Sequence, residues 1–297
     1  MRTAALALVL WLGLGVSIAL GAQIRVASFN VESGGADPNV VDDLVADASG
    51  IDIWGFSEVQ NQNWASIFET AAETGEGANF EQVFGTTGGG DRLVIIFDAD
   101  RFELVNDFEL SHINVLGRVR APLVAHLRER SDGFEFLFMV NHLYRSRANR
   151  RHEQSQLLNE WAQNQTLPII AAGDYNYDWS VTGGDTDHDA GYDLLTANSV
   201  FTWVRPAELI KTHCSHHDSV LDFVFLAGDA RSWTATSEIL PADPSYCPDD
   251  GSTSDHRMVF ATLDTNNNDS VKQQILDRIE QLEDELSELR TLVQTLP

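Results

Sequence analysis

Basic residues are scarce in this chain: 19 Lys and Arg stand against 45 Asp and Glu, a formal net charge of -26. So acidic a surface stays soluble and repels polyanions, which excludes tight general binding to nucleic acid through counterion release. Turnover of an anionic substrate stays open, because cations in a site and a few local arginines invert the potential where it matters. Cysteine is scarcer still, with only Cys214 and Cys247. No standard zinc spacing is present, although His213, His216 and His217 crowd around Cys214. The run Gly88-Gly89-Gly90 lacks the Lys-Ser/Thr ending of a phosphate-cradling loop and precedes no helix, so it reads as a hairpin connection.

What is there begins with residues 1–22. Arg2 precedes an apolar run over residues 4–20, and the small residues Gly21 and Ala22 follow, the pattern of an export signal cleaved after either of them. The alternative is an uncleaved N-terminal membrane anchor. Cleavage would leave 18 basic against 45 acidic residues, a net charge of -27. The destination is then secreted, periplasmic or extracellular, with no stable membrane association after cleavage. In such an oxidising setting Cys214 and Cys247 are expected to pair. The chain has 297 residues, 43% of them hydrophobic, enough for one large domain over residues 23–264.

Within that domain, polar residues emerge repeatedly at the ends of apolar strands. The run Leu167-Pro168-Ile169-Ile170-Ala171-Ala172 reads as a buried strand, and Gly173 then turns the chain out of the sheet with Asp174 and Asn176 side by side. Such a pair suits metal ligation, proton transfer or the orientation of a water. Residues 24–30 form a strand tipped by Asn30 and Glu32. Residues 51–56 form another, and Glu58 at its exit is either a metal ligand or the start of the helix over 63–74. The strand over 134–140 ends in Asn141-His142. Arg145, Arg147, Arg150 and Arg151 follow, four of the 19 basic residues within seven positions: an anion-docking rim, or the charged first turn of the helix over 149–163. Asp222 lies inside the apolar strand 219–226 and needs a partner there, a histidine by preference. Asp255-His256 then precedes the strand 258–263. Residues 184–191 alternate acids like the first half of a calcium loop. Their glycine is one place late and no glutamate stands at the twelfth position, so a solvated loop is expected, with a structural Ca2+ as the alternative.

Residues 265–270 read as a linker, and residues 271–297 as a coiled-coil helix. Ile279, Leu286 and Val293 fall at a positions, with Ile275, Leu282, Leu289 and Leu296 at d. Arg278 and Glu285 at g face Glu283 and Arg290 at e on a parallel partner, which predicts a parallel homo-oligomer, dimer or trimer. A helix folded back on the domain is the alternative.

Taken in order, Asn30, Glu58, His142, Asp174 with Asn176, Asp222, and Asp255 with His256 resemble the motifs of the endonuclease/exonuclease/phosphatase superfamily, which includes deoxyribonuclease I. The resemblance implies an α/β fold, a four-layer α/β/β/α sandwich, with a divalent-metal site at one end. It implies Glu58 as the main ligand of Mg2+ or Mn2+, helped by Asn30 and by Glu32 or Asp255. Asp174 and Asn176 would align or activate water, Asp222 would hold His256, and His142 would be a second catalytic histidine. Arg120, Arg145 and Arg147 are the substrate-binding candidates. The implied activity is metal-dependent phosphoric ester hydrolysis. DNA is the favoured substrate, and a phosphatase, a sphingomyelinase-like phosphodiesterase or a non-catalytic scaffold are the alternatives. Tyr175, Tyr177 and Trp179 are available either to stack on bases or to pack a core.

Overall fold

The computed structural model of the chain describes residues 23–265 and, beyond them, 276, 278–283, 286–287 and 290. The element order is β1 (Gln23–Asn30), α1 (Pro38–Asp47), β2 (Ile53–Val59), α2 (Gln62–Glu76), β3 (Phe80–Phe84), β4 (Arg92–Asp98), β5 (Phe102–Glu109), β6 (Leu123–Glu129), β7 (Glu135–His142), α3 (Ala148–Ala162), β8 (Ile169–Ser180), α4 (Ala190–Thr196), β9 (Phe201–Trp203), β10 (Ser219–Ala227), β11 (Thr234–Leu240) and β12 (Met258–Asp264). Two six-stranded sheets result, in the orders β11-β12-β1-β2-β4-β3 and β5-β6-β7-β8-β10-β9. β1 pairs parallel with β2, and β7 parallel with β8, each across a helical crossover. The remaining pairings are antiparallel.

The apolar patterning explains the layering. In β1, Ile24 and Val26 face one core while Ala27 and Phe29 face another, so the strand is buried on both sides. Val26, Ile53, Ile95, Phe138, Val140 and Val224 fill the space between the sheets. Trp54, Phe56 and Phe260 pack with Val41, Val45 and Phe68 of α1 and α2 on the outer face of the first sheet. Tyr175, Phe223 and Phe225 do the same against Leu158 and Leu195 of α3 and α4 on the second. This is the four-layer α/β/β/α sandwich. At Gly55 a Cβ would stand 2.7 Å from the Val140 side chain, so the facing strand β7 packs against a position with no room for a side chain.

One expectation needs correction, and three alternatives that the sequence left open are decided. Gly173 does not end its strand: β8 runs on to Ser180, and Asp174 lies opposite His142 at the end of β7 instead. Gly173 has φ +140°, and a Cβ there would meet the Asn141 carbonyl oxygen at 2.0 Å, so glycine serves close passage rather than an exit. Tyr175, Tyr177 and Trp179 are buried under α3 and α4 and offer no stacking platform. Arg151 is buried too, bound to Asp189 and to the carbonyls of Tyr144 and Arg145, and Arg150 pairs with Glu153. The acids of residues 184–191 are likewise engaged. Asp185 holds Arg205, and Asp189 caps α4 while binding Arg151 and His152. Among the described residues no cluster of possible metal ligands lies in that loop, which leaves the structural Ca2+ without support.

Cys214 and Cys247 form a disulfide with Cα atoms 5.1 Å apart, joining the segment before β10 to the one before β12. Residues 1–22, read as the export signal, lie outside the described residues, and so do most of residues 266–297. Of the expected coil, Leu276, Ile279, Leu282 and Leu286 are helical and exposed. Among the described residues no helix is long and apolar enough to cross a membrane.

Candidate active site

Strand ends from both sheets meet at one rim. Glu32, Glu58 and Asn176 all have left-handed backbones, with φ of 49°, 60° and 54°. Such conformations are costly for residues with side chains and concentrate at functional rims. At Glu58 the cause is a register shift between Phe56 and Val59 of β2, which turns the carboxylate toward β7 and β8.

Asn30 is the hub of the rim. Its Nδ2 donates to Glu58 Oε1 at 3.3 Å and to Asp174 Oδ2 at 3.2 Å, joining the two sheets through one amide. Its Oδ1 accepts the Glu32 backbone N–H, and its carbonyl accepts the Ser254 hydroxyl at 2.6 Å. Asp174 is buried, and its Oδ1 accepts the Asn176 N–H at 2.9 Å. The Asn176 side-chain amide donates to the Leu143 carbonyl. Asp222 lies directly across the β8–β10 ladder from Asp174, beside a bulge that the Thr212 hydroxyl holds by accepting the Leu221 and Asp222 N–H groups. Its Oδ2 lies 2.7 Å from His256 Nδ1, the histidine partner the sequence demanded.

His142 enters from the other side. Its Nε2 points at Asp174 Oδ2, 3.4 Å away, and at Glu58 Oε1, 3.7 Å away. Its Nδ1 accepts from Arg120, whose Nε is held by Asp91 at 3.1 Å. Arg120 thus turns inward on His142 rather than outward to a substrate. Arg145 and Arg147 are exposed and line, with Glu58, Arg120 and His142, a cleft of about 360 Å³. Glu32 and Asp255 form an adjoining group: Glu32 accepts the Asp255 N–H, and the Asp255 carboxylate faces His213 at 3.0 Å.

The charges interact strongly. Burial, then the facing charge of Asp222, pushes the Asp174 carboxyl up to about 7. Burial alone would lower His256, but the charge and hydrogen bond of Asp222, followed by Asp174 and Asp255, outweigh it and raise the imidazolium to about 10. His142 goes the other way. Burial first, then the Arg120 charge, hold it well below the usual histidine range.

The donors at the rim fit a hard divalent cation. Glu58 and Asp174 carboxylates share one amide, and their nearest ring is the neutral His142, so negative charge gathers without a cationic partner on Glu58. Glu58 would be the main ligand of such an ion, with the Asn30 amide fixing its carboxylate beside Asp174. Asp174, Asp222 and His256 form a further buried group with ligand atoms within 4.8 Å of one another.

Thr212 escaped the sequence reading, and His213 and Ser254 stood out there only as neighbours of Cys214 and of Asp255-His256. Only the Thr253-Ser254 pair before Asp255-His256 carried a local signal, as a turn preceding a charged motif.

The family model described as endonuclease/exonuclease/phosphatase family matches residues 27–256, while no curated protein matches. Solved structures agree in fold. The mannosyl-6-phosphatase of Bacteroides thetaiotaomicron is 20% identical with a TM-score of 0.59, over 81% of this chain and 99% of that one. TDP2 of D. rerio, complexed with single-strand DNA product, is 15% identical with a TM-score of 0.64, over 82% and 100%. The human Nocturnin catalytic domain, with bound sulfate, is 18% identical with a TM-score of 0.57, over 81% and 94%. With the matched region spanning most of the chain, this protein belongs to the endonuclease/exonuclease/phosphatase family.

Proposed function

We propose that the chain is an exported, divalent-metal-dependent phosphodiesterase that cleaves DNA. The observation that carries the hydrolase reading is the convergence of Glu58, His142, Asp174 and the Asp222–His256 pair on one rim, joined by contacts of 2.7 to 3.7 Å. In-line attack on a phosphoester needs an aligned water, charge neutralisation on the phosphate and a proton for the leaving oxygen. Asp174, with a carboxyl near neutrality, accepts a proton from water while Asn176 fixes its carboxylate. His256, charged and held by Asp222, donates through Nε2. His142, neutral, donates a hydrogen bond. A bound Mg2+ or Mn2+ would neutralise charge on the phosphate oxygens.

DNA as substrate is supported by the two exposed arginines at the cleft and by the single-strand DNA product bound to the similar D. rerio TDP2. Export is supported by the leader pattern and by the disulfide. A second reading, a phosphomonoesterase, draws on the modest cleft, the net charge of -26 and the fold shared with a mannosyl-6-phosphatase. A lipid substrate has less in its favour, because Val105 and Leu116 are the large apolar residues exposed on the described part of the domain.

One assay separates these readings. The purified chain is incubated with magnesium, manganese or chelator on supercoiled plasmid, RNA, sphingomyelin and aryl phosphates. Plasmid nicking that chelator abolishes supports the nuclease. Monoester hydrolysis alone moves the assignment to a phosphatase, and no hydrolysis of any ester returns the fold to a scaffold role.

A further inference from the structure

His213 plays no part in the hydrolytic scheme, yet it stands beside it. One ring nitrogen each of His213 and His256 and an Asp255 oxygen lie within 4.8 Å of one another. We propose that these three side chains form a separate site for a borderline divalent cation of the zinc class, and that filling it inhibits the enzyme. The inhibitory consequence rests on the hydrolase reading of His256; the binding itself does not.

Two imidazoles and one carboxylate are a donor set on which zinc settles, whereas magnesium and calcium prefer oxygen throughout. The spacing suits it. His213 Nε2 is 3.0 Å from Asp255 Oδ2, and His256 Nε2 is 3.7 Å from Asp255 Oδ1. A tetrahedral ion with bonds of about 2.0 to 2.1 Å has edges of about 3.3 Å, so small side-chain rotations close the triangle.

The site is also prepared in orientation. Asp222 occupies His256 Nδ1, which leaves Nε2 as the free donor, the arrangement that stands behind many metal-bound imidazoles. His213 and His256 face each other across an isolated antiparallel bridge, and the Cys214 N–H donates to the Asp255 carbonyl at 2.7 Å. The disulfide at Cys214 anchors this segment to Cys247. Asp222, Asp174 and Asp255, which hold a proton on His256, favour a dication for the same electrostatic reason. Asp255 keeps 26% of its side-chain exposure and His213 15%, which leaves a solvent side for a fourth ligand.

An ion here takes the His256 Nε2 lone pair. The proton that Nε2 would give to the leaving oxygen is displaced to solvent on binding, so turnover stops without any change at Glu58.

The test titrates zinc chloride into the chelator-stripped chain by calorimetry at saturating magnesium, for wild type, His213→Gln and His213→Ala. Cobalt(II) is bound in parallel and its visible spectrum recorded. One zinc per chain is expected in wild type, with an intense four-coordinate cobalt spectrum. Both variants should bind zinc at least about 10-fold more weakly and lose that spectrum. Zinc inhibition should weaken by the same factor, while zinc-free turnover stays within about twofold of wild type. Equal zinc affinity in the folded variants, or a weak six-coordinate cobalt spectrum in wild type, overturns the site. Loss of zinc-free turnover with unchanged zinc affinity also overturns it, and assigns His213 to hydrolysis. Absence of any hydrolysis in wild type would sink the proposed function, while calorimetry and cobalt still decide the metal site.

Discussion

Arg120 donates a hydrogen bond to Nδ1 of His142 and is itself held by Asp91. A guanidinium has no acceptor, so Nδ1 must offer its lone pair and the ring hydrogen must sit on Nε2, facing Asp174 and Glu58. His142 is therefore a neutral donor, held by an arginine that a carboxylate in turn holds. Arg120→Ala should lower kcat by about 10- to 100-fold, the range for losing a group that orients another, with KM changed less than about threefold. Steady-state kinetics decides: a large rise in KM at unchanged kcat would make Arg120 a substrate contact instead.

Asp174→Ala and His256→Ala should each reduce turnover by at least about 100-fold, as expected for groups that move a proton in the reaction. Near-normal rates in either folded variant contradict the site.

His256 and Asp174 also give the stability a sign in pH. His256 is raised to about 10 when folded, so its stabilising contribution is fully present below its unfolded value of 6.5 and is lost as pH rises through 10. Asp174, raised to about 7 from 3.8, favours the protonated folded form and loses its contribution between those values. In chelator, Tm should fall steadily from pH 6.5 to 10, and Asp222→Asn should flatten that slope. A flat wild-type profile would show that the Asp222–His256 pair is not the coupled unit inferred.

The disulfide spans a sequence separation of 33 residues. On the chain-entropy model such a loop contributes about 3 to 4 kcal/mol. The double variant Cys214→Ala, Cys247→Ala should shift the denaturant midpoint accordingly, and an unchanged midpoint would mean that the link adds nothing to the folded state.

Removing residues 266–297 tests the heptads. We propose that residues 271–297 join copies of the chain in parallel, so light scattering should show the mass per particle falling to that of one truncated chain. The same oligomeric state before and after removal rules the coil out.

Much was legible before any coordinate. Ile24, Val26 and their like alternate or run unbroken because strands buried on one or both faces must, and Asn30, Glu58, Asp174 and Asp222 stand out because apolar strands carry polar residues only for a reason. Short strands were harder. β3, β9 and β11 went unread, since they carry few buried apolar residues to mark them. Tyr175 and Trp179 illustrate another gap. Which face of β8 looks toward helices depends on sheet pairing, and one residue of register exchanges the faces.

The sequence by itself determined the polar inventory, its order along the chain and the α/β pattern, because these follow from local periodicity and residue chemistry. Only the tertiary structure decided who meets whom. Asp91 reaches Arg120, which in turn meets His142, and His213 reaches Asp255 from a loop 42 residues away. Such meetings are set by strand register, bulges and one disulfide, and these are relations between distant segments that no single segment encodes.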